Sequence, residues 1–142
     1  MTHLARTLTT AVIATLEDAG ITVGDGEQPA GSGWQAGPDN SAFVGYAVVH
    51  PVGGGDSYGP IDGPDQDFEP VYQISAYGAT RAQAELIGDL ARTAMVNTPI
   101  IVTDRRVVLV SIELLGGCRR DDQVLPPVWQ AVDRFRVLTV PT

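Results

Sequence analysis

Val71-Tyr72-Gln73-Ile74-Ser75-Ala76-Tyr77-Gly78-Ala79-Thr80-Arg81-Ala82-Gln83-Ala84-Glu85-Leu86-Ile87-Gly88-Asp89-Leu90-Ala91-Arg92-Thr93-Ala94-Met95-Val96 decides how the rest of the chain is read. The first seven residues are a short apolar run of strand character. Gly78-Ala79 reads as a turn, and the hydrophobic period then changes from about two to about 3.6. Residues 80–96 are therefore expected to be a helix. Thr80 and Gln83 fit a capping box, in which each side chain satisfies a free backbone donor at the helix start. Ala84, Ile87, Ala91 and Ala94, flanked by Leu86, Leu90 and Met95, are the expected buried face. Arg81 with Glu85 and Asp89 with Arg92 have the spacing of surface ion pairs. The small residues Ala84, Gly88 and Ala91 allow close approach to a sheet.

Downstream, Asn97-Thr98-Pro99 stops the helix. Residues 107–115 are nearly all apolar and read as a central strand, buried on both faces. Gly116-Gly117 is expected to end it. Arg119-Arg120-Asp121-Asp122 then reads as a charged, exposed loop, and Pro126-Pro127 prevents regular structure. Residues 129–140 close the chain as a last strand, in which Phe135 and Val137 alternate with Arg134 and Arg136.

Upstream, residues 51–70 read as the least structured segment. They hold Gly53-Gly54-Gly55, Gly59-Pro60 and Gly63-Pro64 together with Asp56, Asp62, Asp65, Asp67 and Glu69. No compact turn uses twenty residues, and the segment joins two strands. A flexible acidic hairpin tip is expected, and long loops of this kind tend to be functional or disordered. Residues 41–50 read as a strand apolar on both faces. It is either central or covered by helices on one side and a neighbouring subunit on the other. Residues 24–40 read as loop around an isolated Trp34, folded back over the core or held at a subunit contact. Residues 3–19 carry Leu4, Leu8, Ala11, Val12, Thr15 and Leu16 on one helical stripe. Gly20 is placed to end that helix in a left-handed conformation. Ile21-Thr22-Val23 is a candidate short strand.

The order of elements is that of an α+β fold: a two-layer sandwich with a mixed, mostly antiparallel sheet and two helices packed on one face. The 142 residues suit a single domain, 1–142, with its long loop at 51–70. A core of this size is modest, so partner subunits can usefully bury further surface.

Net charge is −8, which disfavours gripping DNA or RNA, although an acidic protein can surround DNA without trapping it. All nine basic residues are arginine, a composition expected of a GC-rich genome, and lysine-dependent chemistry is excluded. The single cysteine, Cys118, forbids an internal disulfide. No secretory signal and no 18-residue apolar span is visible, so a cytoplasmic location and no membrane partner are expected.

No catalytic constellation stands out. Nucleophilic catalysis needs a base beside Ser or Cys, and the only histidines are His3 and His50. Cys118 reads as a small semi-buried thiol. Two histidines and one cysteine give no zinc spacing. The acids of 51–70 lack the fixed spacing of a calcium hand. Gly53-Gly54-Gly55 precedes no helix, and its acidic neighbours would repel phosphate. No cofactor or metal is expected.

Four features together resemble one family: the 71–78 strand with the Thr-Arg-Ala-Gln-Ala helix start at 80–84, the Gly-Gly-Cys-Arg-Arg-Asp-Asp run at 116–122, Pro-Pro-Val-Trp at 126–129, and the arginine-bearing closing strand. They resemble the tail terminator proteins of long-tailed bacteriophages, also called tail completion or minor tail proteins. The flavour is that of phages of high-GC actinobacterial hosts, and the likeness runs over roughly residues 4–140. The resemblance implies a structural virion protein at the head-proximal end of the tail. Such proteins form a ring, usually a homohexamer, that caps the tail tube, ends its polymerisation and provides the head-joining surface. The implied partners are further copies of the chain, the major tail tube protein and the neck or connector proteins. DNA passes through without specific binding. No catalytic motif exists to transfer. On this reading Asp56, Asp62, Asp65, Asp67 and Glu69 are candidates for a lumen or docking loop. Arg119, Arg120, Asp121, Asp122 and Trp129 are candidates for ring contacts. The alternatives are a neck or head-completion connector and a small ligand-binding domain or enzyme centred on Cys118 or the acidic cluster.

Overall fold

The structure, a computed structural model, describes residues 4–35, 42–52, 56–58, 67–123 and 126–142. Helix α1 is Leu4–Asp18, followed by strands β1 (Val23–Asp25), β2 (Gly33–Trp34), β3 (Phe43–Val44), β4 (Tyr46–Pro51), β5 (Asp56–Tyr58), β6 (Asp67–Glu69) and β7 (Val71–Gly78). Helix α2 is Arg81–Asn97, and β8 (Ile101–Val102), β9 (Arg105–Asp121) and β10 (Val128–Pro141) complete the order. Eight strands share one sheet, while β2 and β3 pair separately. Among the described residues, only β1 and β4 are parallel neighbours; every other pairing is antiparallel. The α+β class with a mixed, mostly antiparallel sheet is the one expected.

Strand β7 lies between β4 and β10 and is buried along most of its length. Its even-numbered residues Tyr72 and Ile74 meet Phe135 and Val137 of β10 and Ala47 and Val49 of β4 in one core. Leu8, Val12 and Leu16 from α1 and Ala91, Ala94 and Met95 from α2 close the same core. Both helices therefore sit on one face. The start of α2 follows the expected chemistry. Thr80 Oγ1 accepts the Gln83 N–H at 3.1 Å, and Gln83 Oε1 accepts the Ala79 N–H at 2.8 Å. Ala84, Gly88 and Ala91 are buried, and Gly88 brings α2 close enough that an added Cβ would sit 3.6 Å from Ala131. Leu86 and Leu90, expected beside the buried face, are exposed instead. Small residues bring the helix so close to the sheet that the larger flanking side chains are left outside.

Residues 51–70 are less irregular than expected. Strand β5 pairs with β6 in the register Asp56↔Glu69, Ser57↔Phe68 and Tyr58↔Asp67. These strands prolong the β4–β7 hairpin across the interruption at Pro70, and Phe68 reaches β10 opposite Thr139. The tip of that hairpin, with Asp62 and Asp65, lies outside the described residues. Residues 24–40 also contain strand: Trp34 pairs with Phe43, and the two rings meet edge to face at 5.2 Å. The second face of β4 is thus covered in part by the chain itself, through Trp34 and Phe43, where a neighbouring subunit was one expectation.

The largest departure is β9. It runs for 17 residues, past Gly116-Gly117, and pairs with β10 from Arg105↔Pro141 to Asp121↔Val128. Three register shifts interrupt the pairing, and each leaves the extra residue on β9. At one of them Gly116 and Gly117 together oppose Val132. Gly117 takes φ +71, and a Cβ on Gly116 would collide with the Val132 carbonyl. The glycines therefore make a β-bulge, which adds twist without ending the strand. Arg119, Arg120 and Asp121 are strand residues, not a loop; only Asp122 lies beyond the strand. Nor is β9 central. Apart from Arg105 and Arg106, which face β8, its only neighbour among the described residues is β10.

Candidate assembly surfaces

The open edge of β9 carries apolar side chains that the chain does not bury. Val108, Leu109, Ile112, Leu114 and Leu115 are all exposed, Leu109 and Leu115 at 55 %. Register places Ile112 and Leu115 on the helix side, opposite Phe135 and Asp133. Leu109 and Leu114 fall on the other side, opposite Leu138 and Arg134. A row of this size on an edge strand is unusual, because edges are normally shielded by charge, proline or a covering element. Of the charged groups in the row, Glu113 is bound by Arg136, which holds its carboxyl below the ordinary carboxylate range. Arg106 and Arg119, at the two ends, are exposed and form no ion pair among the described residues.

The side of the sheet away from the helices is polar at its centre and aromatic at one end. Arg134 donates to Gln73 at 3.1 Å, and Gln130 donates to the Tyr77 hydroxyl at 3.1 Å. Tyr46 and Tyr77 stack at 4.8 Å, and Phe43 stacks on Tyr46 at 6.0 Å. Burial raises the pKa of both tyrosines, reinforced at Tyr46 by the neighbouring Tyr77 and at Tyr77 by Asp121, while a hydrogen bond with Ser75 works against the rise at Tyr77. Trp34, Phe43, Tyr46, His50 and Tyr77 line a cleft of about 400 Å³. It holds an aromatic wall but no nucleophile with a base beside it.

Cys118 faces α2 across from Ala131, in a smaller cleft with Arg81, Glu85, Arg92 and Asp133. Burial pushes its thiol pKa up, the direction opposite to that of a reactive thiolate. Arg92 links α2 to the sheet, donating to Asp133 at 3.0 Å and to Asp89 at 2.9 Å. Among the described residues, no group of three or more His, Cys, Asp or Glu is placed to hold a metal ion. No helix among them is long and apolar enough to cross a membrane.

The structure separates the two sets of candidates from the sequence. Asp67 and Glu69 are half-buried in β6, with Glu69 3.9 Å from Arg136. Of Asp56 only the strand position is described, and Asp62 and Asp65 lie outside the described residues. Arg119, Arg120, Asp121 and Trp129 come together at the other end of β10. There Trp129 opposes Arg120, and Arg120 pairs with Asp122 at 2.5 Å. The acidic hairpin meets β10 at Thr139, ten residues further along, about 33 Å at the rise of a strand. The exposed row of β9 escaped the sequence reading. Its signal was the flanking Arg106 and Arg119 with the interposed Ser111 and Glu113, polar residues that a doubly buried strand would not carry.

No family model matches the chain, and no curated protein matches it. Among solved structures, a chain of the structure described as "Virion of native gene transfer agent (GTA) particle" aligns with a TM-score of 0.66 and 17 % identity. The alignment covers 99 % of this chain and 99 % of that one. The whole chain shares its fold with a gene transfer agent virion chain.

Proposed function

We propose that this chain is a structural, non-enzymatic component of a phage-like virion, acting as a single unit of residues 1–142. The observation that carries the reading is the end-to-end fold likeness to a chain of a gene transfer agent particle. The open apolar edge of β9 supports it independently, because a chain built to assemble leaves such surface for its neighbours.

Within that class the reading is a tail terminator: a ring, a hexamer by resemblance, at the head-proximal end of the tail. It stops tube polymerisation against the major tail protein and receives the neck or connector proteins. The net charge of −8 suits a wall past which DNA moves without sticking. Asp56, Asp62, Asp65, Asp67 and Glu69 would lie near that passage or at the docking face. The Arg119–Asp122 end and Trp129 would contribute to contacts between copies.

The test has two arms. Light scattering on the purified chain should report a ring-sized assembly. Particles made without it should carry tails of irregular, extended length. A chain that stays monomeric at high concentration, together with normal tails in its absence, contradicts the reading. Labelled microscopy that places the chain between head and connector would move the assignment to a neck protein.

A further inference from the structure

We propose that in the free chain the open edge of β9 pairs with the same edge of a second copy, antiparallel across a two-fold axis at Ser111. The proposal rests on the assembly reading above for the premise that copies meet, and adds the surface, the symmetry and the register.

Along residues 107–115 the edge of β9 away from β10 has no neighbour among the described residues. The segment carries neither proline nor lysine, and such an edge is a template for another strand. All five large apolar side chains that β9 exposes fall within it. Together they leave roughly 400 Å² of each copy in water, about half of one partner's share of an ordinary stable interface before any backbone is counted. Contact with a like row would remove that surface from water, the main driving force for association.

The faces decide the register, because opposed residues of an antiparallel pair lie on the same face of the sheet. Pairing with β10 puts Val107, Val110, Ile112 and Leu115 on the helix side, opposite Thr139, Val137, Phe135 and Asp133. Leu109, Ser111 and Leu114 lie on the far side, opposite Leu138, Arg136 and Arg134, and Glu113 joins them there through its bond to Arg136. A two-fold axis at Ser111 sets Val110 against Ile112 and Val107 against Leu115, all on the helix side. On the far side it sets Leu109 against Glu113. Neighbouring axes fail. At Ile112 the axis would set Val110 against Leu114, and at Val110 it would set Val107 against Glu113, so that opposite faces meet. At Glu113 it would bring the two carboxylates together. Ser111 itself is small, and its hydroxyl can hydrogen-bond that of its own copy.

Charge and the ends of the edge agree with this axis. Glu113 is the one charge in residues 107–115 and is already held by Arg136 of its own chain. Arg106 comes opposite Gly116, so no like charges meet. Strand β8 occupies the edge at Arg105 and Arg106, and the incoming strand must leave the ladder there. It does so at Gly116-Gly117, where the bulge bends β9 and no side chain obstructs β8. A contact between identical surfaces closes on itself and joins chains in pairs. The Arg119–Asp122 end lies beyond it, so a ring would be built from such pairs through a second surface.

The experiment uses the full chain with Cys118→Ser as background, which removes the native thiol. Ser111→Cys should link two copies covalently under mild oxidation, because the axis brings that position against itself. Leu114→Cys should not, since its two copies would stand about six residues, roughly 20 Å, apart, beyond the reach of a disulfide. Light scattering across a dilution series should show the pair as the smallest assembled species. Leu114→Asp alters both halves of the contact at once and should weaken pairing at least about tenfold, as loss of a central contact does. An unchanged melting temperature in dilute solution establishes that this variant folds. If it misfolds, the two thiol variants decide alone. Assembly without a link through Ser111→Cys, or a link through Leu114→Cys of equal yield, overturns the proposal and leaves the assembly reading standing. A wild-type chain that stays monomeric at high concentration also overturns the proposal; the assembly reading falls with it only if tails made without the chain are normal.

Discussion

Strands β7 and β9 are both rich in apolar residues, yet one is the centre of the molecule and the other its margin. β7 has neighbours on both edges, a helix over one face, and Tyr72, Ile74, Ser75 and Ala76 almost fully buried. Among the described residues, β9 has one neighbour along most of its length and leaves five large apolar side chains in water. Pattern alone does not separate them, because hydrophobicity records that surface is to be buried, not which chain will bury it. The contrast divides the molecule into a part that folds the chain and a part that, on the assembly reading proposed above, is left for another chain.

That division predicts which substitutions cost stability and which cost assembly. The largest expected loss is for Phe135→Ala. Its ring is fully buried between the helices and β7, so the change should remove about 3–5 kcal/mol, measured by urea denaturation of the monomer. Gly116→Ala probes the seam between the two regions. The added methyl would collide with the Val132 carbonyl, and a loss of about 1–3 kcal/mol is expected if the bulge is held as described. Thr80→Ala removes the cap of α2 and should cost about 1 kcal/mol in the same assay. Leu115→Ser sits at the other extreme. It should stay within about 0.5 kcal/mol of wild type as a monomer while reducing self-association. A Leu115→Ser variant as unstable as Phe135→Ala would erase the contrast between the strands.

Alkali gives a graded version of the same comparison. Burial raises the pKa of Tyr46, Tyr72 and Tyr77, so the folded chain favours the neutral phenols. Their stabilising share is complete below the unfolded tyrosine value of about 10 and is lost as pH rises through the higher folded values. The melting temperature should therefore begin to fall above that point, and Tyr77→Phe should soften the fall. An unchanged alkaline profile in that variant would contradict the burial assigned to the pair.

Much of the folding part was legible in the residues. The change of period at Gly78, the Thr80–Gln83 cap and the stripe of α1 located both helices, and the alternation in 129–140 located β10. Local chemistry decides those elements. The assembly part was less legible for three physical reasons. Gly116-Gly117 looks like a strand end, but a left-handed Gly117 lets the pairing resume beyond the bulge. Apolar residues on both faces look the same whether a strand is central in its own sheet or exposed until another copy arrives. Strands β5 and β6 lie among glycines, prolines and acids with low strand propensity, and are held by continuation of the β4–β7 ladder. The candidates at 119–122 were read as a loop, whereas Arg119, Arg120 and Asp121 lie in strand β9. Their distance from the acidic hairpin depends on topology that no local pattern encodes.

Amide hydrogen exchange across a dilution series tests the central claim most directly, that β9 is completed by another chain. In the dilute monomer, amides on the open edge of β9 should exchange quickly while those of β7 and α2 remain protected. As concentration rises, protection should appear along residues 107–119 and change little in β7. Equal exchange along β9 at every concentration, in a chain that nonetheless assembles, would contradict the account.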